Sequence, residues 1–333
     1  MSVPGDDAPA HSLLASDSPE GRPDAFAGTI PHPLDTVTLR HLSQISPWRS
    51  VYHLVQEWAF ILGAAWLCSL YWHPLLYLAT VVWIGARQHA LAILVHEGAH
   101  YRLFSDRRWN DWVSEVLLAW PILGTMRSYR ASHWPHHRFV NTDADPDWLR
   151  KQGPDWQFPM SRRHLWTMLL LDLSGLNTLQ LLGRVKAHSR TLAGLDTGLG
   201  FRFARVAFYL AMAGLFTWWH LWLGVMLFWF IPGFTWLKLS LRVRSIAEHY
   251  AFVHAPAGAT TRTTLPRLWE RWLIAPKHIN YHVEHHLYPS VPHFRLPDLH
   301  AALMAQPGYR ERTYVTESYT GVLHECLQRP PAP

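Results

Sequence analysis

Between Arg205 and Lys238 the chain carries no charged side chain of either sign, and between Arg49 and Arg87 it carries no Lys or Arg. Few folds tolerate two such runs. Val51 to Leu70 and Pro74 to Val95 are each about 20 mostly apolar residues, enough to cross a hydrocarbon core of about 30 Å. "YWHP" (71–74) supplies a turn and interfacial aromatics between them. "WWH" (218–220) marks the corresponding apex in the second run. A soluble protein with buried helical hairpins is the competing reading. The placement of every basic residue outside paired uncharged runs favours a membrane.

The expected fold is therefore all-α and integral to a membrane. It has four transmembrane helices in two hairpins, at about 51–70, 74–95, 203–218 and 221–239. A single cytosolic helical cap completes the expected fold. Residues 1–35, rich in Pro, Gly, Asp and Ser, read as a disordered N-terminal tail. The membrane domain is expected over 36–310 and a C-terminal tail over 311–333. No basic start followed by an apolar core is visible, so no secretory signal is expected. "WVSEVLLAWPILG" (112–124) and "LWTMLLLDLSGLNTLQLL" (165–182) read as interfacial or re-entrant helices.

Net charge is +6 with 26 Arg against 4 Lys. The Arg residues flank the apolar runs on one predicted side, so the positive-inside rule places both termini and the segment between the hairpins in the cytosol. A nucleic-acid partner is then not expected. Two cysteines, Cys68 and Cys326, are too few for a disulfide framework or a thiolate cluster.

The 23 histidines are the second constraint. "HEGAH" sets His96 and His100 four apart, on one helical face. "HWPHH" places His133, His136 and His137 at i, i+3 and i+4. "HVEHH" repeats that spacing with His282, His285 and His286. His249, in "RSIAEHYAF", is a single further candidate beside the predicted fourth span. One zinc takes about four ligands, so one ion would leave most of these rings idle. Nine imidazoles fit two ions with four or five each. A ligating imidazole usually gives its far N–H to a carboxylate or carbonyl. Glu97, Asp143, Asp145, Glu248 and Glu284 are the candidates for that supporting role. Arg127 and Arg130 are candidates for an anionic head group or, equally, simple membrane anchors. A metal transporter would want ionisable residues along the spans, and these are nearly absent. A membrane zinc hydrolase would act without O2 or reductant.

At the three boxes the chain resembles the membrane fatty acid desaturase family, whose pattern is H-x-x-x-H, H-x-x-H-H and H-x-x-H-H. "RSYRASHWPHHRFVNTDADPD" and "NYHVEHHLYPSVPHFRLPDL" are similar to that family as well, and the likeness spans roughly residues 50 to 305. The resemblance implies a centre of two non-haem irons held by His96, His100, His133, His136, His137, His249, His282, His285 and His286. It implies that O2 and two electrons remove two hydrogens from a lipid acyl chain. An external donor, such as a ferredoxin or a b-type cytochrome, must supply the electrons. Some relatives carry an Asn four residues before the single histidine; this chain has Ser245 there. Hydroxylation or ketolation of a carotenoid, a sphingolipid or an alkane is the alternative outcome in this superfamily. The Arg-rich composition is common in GC-rich bacteria, so a bacterial inner membrane is the expected location.

Overall fold

The computed structural model describes residues 34–180, 198–256 and 259–328. It is mostly helical. Asp35 opens α1 (Thr36–Leu42), its carboxylate accepting the N–H groups of Val37 and Thr38 at 3.0 and 2.9 Å. Then come α2 (Pro47–Leu70) and α3 (Pro74–Ala99), each with Pro in its first turn, where the missing N–H costs nothing. Next are α4 (Arg107–Ser114), which runs into a π turn at Glu115–Ala119, and α5 (Met126–Phe139). The short α6 (Pro146–Leu149) and α7 (Arg162–Leu173) follow. The second apolar run forms α8 (Leu199–Trp218) and α9 (Trp222–His249). A π turn at Met226–Phe230 and Pro232 precede a bend at Thr235 in α9 (φ −110°, ψ −89°).

Three helices, α3, α8 and α9, are long and apolar enough to cross a membrane. The expected first span coincides with α2, but that helix carries His53, Gln56 and Glu57 in its first half. No residue of α8 is buried, and Leu210 and Phe203 stand largely exposed. Such apolar surface needs a non-aqueous neighbour. The turn after α8 exposes Trp218, Trp219 and Trp222 together, the residue type favoured where membrane meets water.

The opposite end is a folded cap. It holds β1 (Thr263–Leu265), α10 (Leu268–Leu273), α11 (His282–Leu287), α12 (Leu296–Met304), α13 (Tyr309–Arg312), β2 (Val315–Glu317) and α14 (Tyr319–Glu325). The all-α expectation is corrected by one parallel pair, β1 with β2, in register Thr263 to Val315 and Leu265 to Glu317. The expected C-terminal tail is buried in part, while Glu311, Arg312, Glu317, Thr320 and His324 stay exposed. Tyr319, Val322 and Cys326 pack with Ile246, Ile279 and Met168, and Cys326 O accepts the N–H of Met160 at 2.9 Å. Their short polar-apolar alternation carries little periodic signal, which is why this segment reads as a tail. At the end of the expected N-terminal tail, Leu34 packs with α11 and α12. The expected disorder of residues 1–33 lies outside the described residues, as do residues 181 and 182 of the second expected interfacial stretch.

The close approach of α3 to α9 positions the site. At Gly85 an added Cβ would lie 2.7 Å from Trp236 Cβ and 3.0 Å from the Leu237 nitrogen. Only glycine lets the two backbones meet there, so the far ends of α3 and α9 converge.

Candidate metal centre

The end of α3 is held by its neighbours. His100 caps it, Tyr101 takes φ 56°, and the Arg102 N–H reaches back to Glu97 O at 2.9 Å. The last carbonyls would be orphaned without partners. Arg130 donates to Gly98 O at 2.8 Å and Ala99 O at 3.2 Å, and Asn110 donates to Gly98 O at 2.8 Å. Arg130 also pairs with Asp111 at 2.6 Å and lies over the Tyr101 ring. Arg130, a candidate for a head group in the sequence, is thus engaged as a helix cap. Arg127 is half-buried and makes no hydrogen bond or ion pair to a described residue.

Thr125 caps α5 by accepting the Ser128 N–H at 3.1 Å. One turn of α5 presents His133, His136 and His137, and α11 presents His282, His285 and His286. The nine histidines fall into two groups. His96, His100, His133, His137 and His285 form one; His136, His249, His282 and His286 form the other. In each group one nitrogen per ring lies within 4.8 Å of all the others. Each three-histidine array is split between the groups, so α5 and α11 both serve both. The His137 and His286 rings stack across the divide, centroids 4.3 Å apart.

The nitrogens converge too closely for hydrogen bonding to explain them all. In the first group Nε2 of His133 lies 2.9 Å from that of His100 and 3.1 Å from that of His137, which in turn is 3.1 Å from that of His285. In the second, Nε2 of His282 lies 2.8 Å from that of His249 and 3.0 Å from that of His286. A neutral imidazole has one N–H to give. The buried Nε2 of His96 has no hydrogen-bond partner among the described residues. An ion about 2.1 Å from each nitrogen sets neighbouring ligands about 3 Å apart, which is the spacing found. The donor set fits two metal ions. Burial, reinforced by neighbouring imidazole charges, pushes the pKa values of His100, His133, His282, His285 and His286 well below the ordinary histidine value. The rings are therefore neutral and ready to ligate.

The carboxylates sort themselves. Asp145 Oδ2 meets His136 Nδ1 at 2.8 Å and also accepts the Asn141 N–H at 3.0 Å. Burial raises its pKa, but the His136 contact and two backbone N–H groups outweigh that and leave it lowered. Asp143 is exposed on the turn. Glu248 accepts from Arg244 at 2.5 Å and lies 3.5 Å from His282 Nδ1. Glu97 accepts the His293 N–H at 2.9 Å, with His96 Nδ1 at 3.6 Å. Glu284 bonds Thr263, His300 and Tyr309 at 2.5, 2.6 and 3.3 Å, tying α11 to β1, α12 and α13.

Two contributors escape the sequence reading. The Thr260 carbonyl stands 3.3 Å from His249 Nδ1, in a role no side-chain pattern announces. Lys151 bridges Asp147 and Ser245, donating to the Ser245 hydroxyl at 2.6 Å one turn before His249. Its spacing four after Asp147 was the available signal.

An apolar helical body that gathers nine histidines at one end, eight of them buried, defines a class of metal-binding membrane proteins. The model of the family described as "Fatty acid desaturase" matches residues 72–318, and the chain belongs to that family. Dihydrorhizobitoxine desaturase of Bradyrhizobium elkanii is 26% identical over 310 residues, covering 88% of this chain and 86% of the relative. The sn-1 oleoyl-lipid 12-desaturase of Synechocystis is 25% identical over 310 residues, 84% of this chain and 82% of the relative. Sphingolipid delta(4)-desaturase/C4-monooxygenase DES2 of Mus musculus is 26% identical over 244 residues, 70% of this chain and 68% of the relative. Family and apolar helices together make this a membrane protein of lipid metabolism, an oxidoreductase of the desaturase type.

Proposed function

We propose that this chain is an O2-dependent oxidase with two non-haem irons that introduces a double bond into a fatty acyl chain of a lipid. The observation that carries the proposal is the division of nine converging imidazoles, eight of them buried, into groups of five and four. His96, His100, His133, His137 and His285 would hold one iron, and His136, His249, His282 and His286 the other. When bound, the irons would activate O2, which with two external electrons, two protons and the two hydrogens taken from an unactivated methylene pair would leave as two waters. The chain's own residues do the rest. Asp145 fixes His136 with its Nε2 toward the site, and the Thr260 carbonyl does the same for His249. Glu248 and Arg244 brace His282. The cap over α3 and α9 keeps the rings dry.

In this reading α2, α3, α8 and α9 form four spans in two hairpins, with both termini and the site in the cytosol of a bacterial inner membrane. A ferredoxin or a b-type cytochrome would deliver electrons to the basic face. The test is expression in a host of simple lipid composition, with mass spectrometry of lipids and pigments. Loss of two hydrogens from an acyl chain is expected. A gain of oxygen would instead support the second reading, a hydroxylase or ketolase of a sphingolipid, carotenoid or alkane; the name of the mouse relative joins both activities. Full turnover by His136→Ala with full iron content would overturn the ligand assignment.

A further inference from the structure

A cavity of about 290 Å³ lies against the four-histidine group, with His136, His249 and His282 in its wall. The wall is not what a plain acyl chain would select. Five cations line it against two acids, Asp147 and Glu248. Arg244 is matched by Glu248 at 2.5 Å, and Arg150 and Lys151 share Asp147. Arg242, which is nine-tenths buried, pairs with Asp172, yet its buried Nη1 has no hydrogen-bond partner among the described residues. Lys238 makes no hydrogen bond or ion pair to a described residue. Counting Asp172, which also acts on Lys238, five cations meet three acids, a net excess of two positive charges beside the histidines. Holding cations out of water is costly unless an anion joins them.

We propose that this cavity binds the anionic group, a carboxylate or a phosphate, of the substrate, with Lys238 and Arg242 as its partners. The inference rests on the histidine groups being the oxidising centre, and it narrows the substrate. The cavity has room for a small anionic group and accompanying water. An anionic group seated here lies beside His136, His249 and His282, so oxidation would fall on the part of the substrate next to the anion. The anion can belong to a free short acid or to an anionic lipid head group; both share this chemistry.

The test uses the full chain in phosphatidylcholine nanodiscs, metal-free and iron-loaded. Hexanoate, inorganic phosphate and the neutral 1-hexanol are titrated by calorimetry. Hexanoate is expected to bind both forms, 1-hexanol at least tenfold more weakly, and Lys238→Met to weaken hexanoate about tenfold. Arg242→Gln leaves Asp172 buried without its partner and can unfold the chain, so Lys238→Met is the deciding variant. Unchanged hexanoate binding by Lys238→Met, equal binding of 1-hexanol, or binding only when iron is present would each overturn the cavity assignment. Replacing part of the phosphatidylcholine with phosphatidate identifies the source. Displacement of hexanoate assigns the cavity to a lipid head group, and no displacement assigns it to a soluble acid. The product is the second readout: a double bond or hydroxyl in the part of the chain next to the anion is expected, and one at mid-chain would overturn the substrate class. Failure of the oxidase reading shows separately, as purified protein without iron and without oxidised product whatever the hexanoate result.

Discussion

Nδ1 of His136 meets Oδ2 of Asp145 at 2.8 Å, nine residues away along the chain. The contact fixes which nitrogen of His136 faces the four-histidine group. Asp145→Asn keeps the shape and removes the charge. Support of this kind is worth about 10- to 100-fold in metal affinity. Asp145→Asn should therefore lose metal from the four-histidine group at chelator concentrations that leave the five-histidine group loaded. Metal content against chelator concentration checks this. Equal loss from both groups would count against a local role.

Single ligand changes should separate the two groups. His249→Ala removes one of four nitrogens in one group, and His100→Ala one of five in the other. Each variant is expected to retain about one ion where the parent holds about two. Elemental analysis of protein purified with iron gives the count. Retention of both ions by His249→Ala would remove it from the ligand set.

The neutral rings make the protein acid-sensitive. His100, His133, His282, His285 and His286 are held well below the ordinary histidine value, by burial first and by neighbouring imidazoles second. Below about pH 6.5 the unfolded chain takes up protons that the folded chain refuses. Stability is then fully present above that pH and falls as pH drops. Each such ring contributes a slope of about 1.4 kcal/mol per pH unit. The metal-free protein should lose thermal stability steeply between about pH 6.5 and 5.5. A flat melting profile over that window would show the rings to be protonated already.

Glu57 is buried between two cations, 3.3 Å from Arg87 and 2.7 Å from Lys277, so one carboxylate joins α2, α3 and the cap. Glu57→Ala would leave both cations buried without their counter-charge, at a cost of about 3–5 kcal/mol. A large drop in melting temperature is expected. Double replacement with Lys277→Met should recover part of it. If Glu57→Ala melts like the parent, the pair is solvated in the membrane.

Gly85→Ala tests whether helix spacing sets the site. The added methyl meets Trp236 Cβ at 2.7 Å. Overpacking of this kind costs about 1–3 kcal/mol. It should push α3 from α9 and so part His96 and His100 from His249. The expected result is a folded protein with weakened metal binding. Unaltered metal retention would mean that the two helix ends are held by the cap instead.

The sequence by itself determined the charge-free runs, the helices they form and the identity of the nine histidines. Its periodicities report one element at a time. The spacing in "HWPHH" puts three rings on one side of α5, but it says nothing of what faces them. Only packing assigned His133 and His137 to one group and His136 to the other, because the partners arrive from α3, α9 and α11, up to 148 residues away. The same limit explains Asp145 over Asp143, and Arg130 as the cap of α3. A carboxylate or guanidinium takes its role from the nearest orphaned polar group, and that neighbour is fixed by tertiary distance. The cationic cavity and the parallel strands Val315–Glu317 and Thr263–Leu265 were hidden for the same reason. The strands are three residues each, too brief to carry a signal, and the cavity becomes a site only where α9 packs beside α5 and α6.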